Sequence, residues 1–179
     1  GGVDRGVVFQ DFAQLFPWRS AQRNVEFGLQ LRGRPRKERR KTALEFLNLV
    51  GLEKFASVFP HQLSGGMQQR VAIARALAYD PDVLLMDEPF AALDAMTRDE
   101  MQRQLTYVWQ KTKKTIIYIT HNVSEAVYLA DKVLVLAAHP DTIKASLTLG
   151  LPRPRVPISE AFVEAREFAR HVVQLFLFD

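Results

Sequence analysis

The sequence contains no cysteine, which removes thiol nucleophiles, Cys-based zinc sites, iron–sulfur clusters and any disulfide framework. Long apolar runs are absent too. The longest, Val133 to Ala138, falls well short of the ~18 to 20 residues a helix needs to cross a bilayer. The N-terminus, G-G-V-D-R-G-V-V-F-Q, lacks the charged, apolar and cleavage regions of a signal peptide, so the chain reads as cytosolic or as peripheral to a membrane. Neither sign of charge dominates: 24 Lys and Arg face 20 Asp and Glu over 179 residues, a formal net charge of +4. With 47% apolar residues there is material for a core, and the length suits one globular domain or slightly more. Chemistry is left to His, Asp, Glu, Ser, Thr and Lys.

What positive excess exists is concentrated. Residues 32–41 read R-G-R-P-R-K-E-R-R-K, seven bases against one acid, a net +6 that leaves the rest of the chain slightly acidic. Such a run suits a solvated helix start, and equally a surface for phosphate-rich lipid headgroups or nucleic acid.

Short apolar runs rich in β-branched residues predict strands at Gly6 to Phe9, Val83 to Met86, Thr115 to Thr120 and Lys132 to Ala137. Their apolar residues are consecutive, which predicts burial on both faces, as in a parallel sheet. Helical spacing separates them. Residues 38–50 place Leu44, Leu47 and Val50 on one face and stop at Gly51; residues 67–79 turn Val71, Ala74 and Leu77 inward and stop before Pro81. Residues 95–111 carry Met101, Leu105, Val108 and Trp109 on a stripe, and a shorter helix covers 124–130. After Pro152, Pro154 and Pro157, a last amphipathic helix from Ser159 to Phe176 turns Phe162, Phe168, Val172 and Leu175 inward. Alternating strands and helices predict an α/β domain whose ligands sit at the carboxyl ends of the strands.

Three features meet that edge. V-L-L-M-D-E-P ends a buried strand in adjacent carboxylates, Asp87 and Glu88, a costly pairing unless a cation or proton compensates it. Asp87 is placed to hold Mg2+ and Glu88 to polarise a water. L-S-G-G-M-Q-Q-R puts Ser64, Gly65 and Gly66 at a helix start, where free amides and the helix dipole favour an anion. I-I-Y-I-T-H brings His121 to the same edge as a phosphate or water ligand, whereas His61, His139 and His171 read as structural.

In this order, the motifs resemble the nucleotide-binding subunit of an ABC transporter. L-S-G-G-M-Q-Q-R is similar to its signature, V-L-L-M-D-E-P to the Walker B strand, A-L-D at Ala92 to Asp94 to the D-loop, I-T-H to the switch loop, and V-V-F-Q, ending in Gln10, to the Q-loop. L-F-P-W at Leu15 to Trp18, N-V-E-F-G-L at Asn24 to Leu29 and E-A-V-Y-L-A-D at Glu125 to Asp131 resemble the importer subfamily for nitrate, sulfonate and taurine. Ala91 and Asn122 depart from that pattern, where Gly and Asp are usual, without removing a reactive group.

The resemblance implies a P-loop NTPase-like α/β core with helices on both faces of a parallel sheet and an inserted helical subdomain. Residues 1–11 would end the first core section, 12–62 form the helical subdomain, 63–150 the ATPase core, and 151–179 a linker and C-terminal helix. It implies ATP and Mg2+ as cofactors. Glu88 would be the general base, with His121 and Gln10 beside it; Asp87 and Gln10 would hold the metal. Ser64, Gly65, Gly66, Gln68 and Asp94 would serve nucleotide binding between two head-to-tail subunits. Partners would be a second ATPase subunit, membrane-spanning permease subunits and, indirectly, an extracytoplasmic solute-binding protein, at the cytoplasmic face of the inner membrane. Phe16, Pro17 and Trp18 are candidates for permease docking, although Phe16 and Trp18 also suit packing within the subdomain.

One expected element is missing. The Walker A loop, G-x-x-x-x-G-K-[ST], grips the β- and γ-phosphates. The Lys-Thr pairs at Lys41, Lys111 and Lys114 have no preceding Gly, and Gln10 already lies where that loop should precede it. The expectation is an N-terminally truncated chain, lacking the first core strands and hydrolysing little ATP itself. Two other readings stand beside an importer ATPase: an ABC-type ATPase acting on nucleic acid through residues 32–41, which the absence of sustained heptads between Gln10 and Leu63 disfavours, and an inert fragment.

Overall fold

Three of the four predicted strands run side by side and parallel. In the computed structural model, which describes residues 4–11, 14–136 and 142–175, β1 (Arg5–Val8) pairs with β2 (Val83–Asp87), and β2 with β3 (Thr115–Ile119). The register aligns Val8 with Met86 and Met86 with Tyr118, so one face carries Val8, Leu84, Met86 and Tyr118. Val8, Leu84 and Met86 are fully buried, and Phe90 packs on Tyr118 at 5.9 Å between ring centroids. The opposite face differs from the expected two-sided burial: Val7, Ile117 and Ile119 on it are 38%, 52% and 47% exposed.

The chain divides into two compact units, 1–119 and 120–179. Between β1 and β2 the first unit inserts α1 (Ala21–Leu31), α2 (Arg36–Leu49) and α3 (Gly65–Ala78), which pack on one another. α1 has the spacing of a helix that buries one stripe: Ser20 caps its start, and Ala21, Val25 and Leu29 recur every fourth residue, all buried. Ala43 and Leu47 are the buried positions of α2, with buried Val50 at its C-cap and Leu44 half-buried. Gly51 ends that helix at φ +73, a conformation that favours glycine.

The basic run forms the exposed beginning of α2, with Arg34–Glu38 and Lys41–Glu45 contacts of 3.9 Å. At full exposure such pairs contribute only a few tenths of a kcal/mol each. α3 is buried almost all round, including the predicted Val71, Ala74 and Leu77, and packs on β1. α4 (Ala95–Thr112) follows β2 and buries Met101, Leu105 and Val108, while Trp109 is half-buried.

The second unit contains α5 (Val123–Leu129), β4 (Lys132–Leu136), β5 (Ile143–Thr148) and α6 (Glu160–Leu175). β4 does not join the parallel sheet; it pairs antiparallel with β5, which the apolar-run criterion missed because I-K-A-S-L-T alternates with polar residues. The last residue of each predicted element, Ala137 and Phe176, and His139 lie outside the described residues.

The core of this unit is Val127, Phe162 and Ala169, with Leu147, Leu149 and Leu151 against it. Phe168 and Leu175 do not face inward as predicted; they are 59% and 55% exposed. At about 100° per residue they rotate well off the stripe that Phe162, Ala169 and Val172 define. Arg155 is buried in the proline-rich segment, where its Nη1 donates to the carbonyls of Val127, Tyr128 and Ala130 at 2.7, 3.2 and 2.6 Å. Those are carbonyls from the end of α5, which have no partner within the helix.

Candidate functional site

The parallel register sends the chain out of β1 and β2 at one edge of the sheet. Val8 is level with Met86, so Phe9 and Gln10 leave β1 alongside Asp87 and Glu88 leaving β2. Asp87 and Gln10 are exposed, and Glu88 is half-buried. The Asp87 carboxylate makes no hydrogen bond or ion pair among the described residues, which leaves its oxygens available to a ligand.

Glu88 has φ +42, in the left-handed region that a residue with a Cβ adopts at a cost of about 1 to 2 kcal/mol. The turn is held from both sides. The Glu88 N–H donates to the Ile119 carbonyl at 3.0 Å, its carbonyl accepts from the Ala91 N–H at 3.1 Å, and Pro89 and Phe90 are buried beneath it. Strain maintained by surrounding contacts fixes where the carboxylate stands.

Ser64 is the N-cap of α3: its Oγ accepts from the Met67 N–H at 3.3 Å, which keeps the hydroxyl proton as a donor. Gln68 folds back, its Nε2 donating to the Leu63 carbonyl at 3.1 Å, so it shapes the loop before the helix. Gly66 is buried with no room for a side chain; a Cβ there would lie 2.9 Å from Thr97 Cγ2. The glycine is therefore required by packing against the start of α4, as well as by any approach of an anion.

Asp94 caps α4, accepting from the Thr97 N–H at 3.0 Å, and this bond holds its pKa below the ordinary carboxylate value. Arg98 fastens the preceding turn, donating from Nη2 to the Leu93 carbonyl at 2.8 Å and from Nε to that of Phe90 at 3.3 Å.

His121 belongs to the second unit, two residues beyond the end of β3 in the chain, and is exposed. Its turn is fastened by its neighbours. Asn122 caps α5 by accepting from the Glu125 N–H at 3.2 Å, and Thr120 Oγ1 lies 2.6 Å from the carboxylate of buried Glu125 while accepting from the Asn122 N–H at 3.0 Å. Asn caps a helix as well as Asp does, which is why the departure at Asn122 is structurally neutral.

Buried polar residues that the motif reading passed over position this site. Gln69, fully buried, donates from Nε2 to the Phe9 carbonyl at 3.1 Å and accepts from Gln14 Nε2 at 3.2 Å. Asn24, also fully buried, accepts from the Phe16 N–H at 2.8 Å and donates to the carbonyls of Phe16, Arg19 and Ser20 at 3.1, 3.0 and 3.2 Å. It thereby shapes the turn that presents Trp18, which is 70% exposed. Phe16 instead packs inward, edge-on to Phe27 at 4.7 Å. Trp18, Arg19, Arg23, Arg36, Arg40 and Phe59 line a groove of about 870 Å³ beside this turn.

Comparison with known proteins bears directly on these motifs. The family model for ABC transporters matches residues 2–91, half of the chain. An uncharacterized ABC transporter ATP-binding protein of Methanocaldococcus jannaschii is 56% identical over 93% of this chain, which spans 62% of that protein's length. A taurine import ATP-binding protein of Rhizobium johnstonii is 48% identical over 96% of this chain and 68% of its own. A dimeric ATP-binding cassette in a post-hydrolysis state, bound to ADP and Pi, superposes with a TM-score of 0.66 at 38% identity, covering 82% of this chain and 63% of that one. The chain belongs to the ATP-binding proteins of ABC transporters.

Proposed function

We propose that the protein containing this chain binds and hydrolyses ATP to drive import of a small solute such as taurine, another sulfonate or nitrate, as the ATPase subunit of an ABC transporter. The observation that carries the reading is the pair Asp87 and Glu88 at the carboxyl end of β2, with Glu88 held at φ +42. Identity to the taurine import protein supports the solute class.

Asp87, exposed and with a carboxylate unpartnered among the described residues, suits a hard divalent cation. Mg2+ is bound in this manner, by one or two protein oxygens completed by phosphate and water. Asp87 and Gln10 would hold it, and when bound it neutralises charge on the phosphates. Glu88 accepts a proton from the attacking water as that oxygen bonds to the γ-phosphorus and the bond to the ADP oxygen breaks. His121 donates a hydrogen bond to the γ-phosphate.

Ser64, Gly65 and Gly66 serve a nucleotide on a second subunit. Ser64 stands five residues before Gln69 in the chain, about 7 Å along the helix axis from the residue that meets the end of β1. Asp94 links the two sites. The dimeric state of the similar ATP-binding cassette supports this arrangement.

The groove beside Trp18 is the candidate contact for a membrane-spanning permease subunit, with a solute-binding protein acting across the membrane. No helix among the described residues is long and apolar enough to cross a membrane, and peripheral attachment at the cytoplasmic face is part of the same proposal. Vesicles holding the full-length protein and its membrane subunits test the reading: ATP-dependent uptake of taurine or nitrate supports it, and absence of ATP hydrolysis in the presence of Mg2+ overturns it.

A further inference from the structure

The backbone of Phe9, just past the end of β1, is paired by side chains where a neighbouring strand would otherwise pair it. The Gln14 amide receives the Phe9 N–H on Oε1 at 3.3 Å and returns Nε2 to the Phe9 carbonyl at 3.0 Å, as a peptide group in a sheet would. Gln69 completes the arrangement from α3, bonding both the same carbonyl and Gln14. Arg75, two turns further along α3, donates to the Gln14 carbonyl at 2.7 Å. The segment on either side of Gln10 is thus tied to α3, the helix that begins with Ser64, Gly65 and Gly66.

We infer that Gln69 is a positioning residue that makes the placement of Gln10 follow the movement of α3. The inference rests on the ATPase reading for its consequence: the group facing this subunit's own nucleotide and the amides facing the second subunit's nucleotide then shift as one body. Its physical basis is the cost of separation. If α3 moved alone, the fully buried Gln69 amide would lose both partners, and an unpaired buried amide is costly enough that Phe9 and Gln14 are carried along. Gln69 touches neither nucleotide nor metal in this account; it acts through Phe9 and Gln14.

The test uses the full-length protein with Gln69→Leu, Gln14→Ala and the double variant, read by amide hydrogen exchange at Phe9 and by ATP turnover. Gln69→Leu should speed Phe9 exchange by about five- to tenfold, while amides in the middle of α3 exchange as before. The double variant should be no faster than the quicker single one, because the two amides act as a unit. In turnover, kcat should fall by roughly tenfold with KM for ATP nearly unchanged, the pattern of lost positioning and not of lost binding. Unchanged Phe9 exchange, additive effects in the double variant, or equal acceleration throughout α3 and β2 would each overturn the coupling. The exchange measurement needs no ATPase activity, so a protein that turns over no ATP would reject the functional reading while the coupling is still judged at Phe9.

Discussion

Gly66 and Thr97 are in such close approach that a Cβ on Gly66 would sit 2.9 Å from Thr97 Cγ2. The start of α3 is thereby packed onto the start of α4, where Asp94 is the cap. Gly66→Ala should destabilise the fold by about 1 to 3 kcal/mol, the usual range for overpacking. Adding Thr97→Ser removes the obstructing methyl and should recover most of that loss in urea unfolding. No recovery would mean that the glycine is needed for another reason.

Glu88 offers a test of stored strain. At φ +42, glycine is the residue of lowest backbone cost, so Glu88→Gly should be more stable than Glu88→Ala by about 1 kcal/mol, the reverse of their order in a helix. Thermal unfolding of the two variants decides it, and equal or inverted stabilities would show that the turn relaxes.

Phe16 and Trp18 are adjacent in the turn yet have opposite surroundings. Phe16→Ala should cost on the order of 2 kcal/mol through its lost contact with Phe27, whereas exposed Trp18→Ala should change stability by less than ~0.5 kcal/mol. With membrane subunits present, Trp18→Ala should weaken assembly more than nucleotide binding. Equal loss of both, measured by co-purification and by nucleotide titration, would remove Trp18 from the docking surface.

Asp94 sets a pH dependence of known sign. The Thr97 N–H lowers its folded pKa, so its contribution to stability is present above the unfolded value of about 3.9 and fades as pH falls through the lower folded value. The Tm difference between the wild type and Asp94→Ala should therefore be steady near neutral pH and shrink below about pH 4. A difference that stays constant into acid would show that the carboxylate charge contributes nothing.

Much of this was legible before any coordinates. The consecutive apolar runs ending in Asp87 and Ile119 identify parallel strands, and the stop of α2 and the start and stop of α3 lie where Gly51, Ser64 and Pro81 predict. The pairing of β4 with β5 was not legible, because apolar content reports burial and not the neighbour that provides it. Phe168 and Leu175 were misplaced since an apolar residue is compatible with several helix faces until the partner surface is known. Gln69, Asn24 and Glu125 passed unnoticed for a related reason: their significance lies in bonds to Phe9, Phe16 and Thr120, and for Gln69 the partner is 60 residues away. A polar side chain in an amphipathic pattern gives no sign that it is buried.

The central claim, that Glu88 activates water for ATP hydrolysis, is tested most directly by Glu88→Gln in the full-length protein, with turnover and nucleotide retention measured together in the presence of Mg2+. Turnover should fall by about 100-fold or more while ATP stays bound and dimers accumulate. Turnover near the wild-type rate would contradict the account.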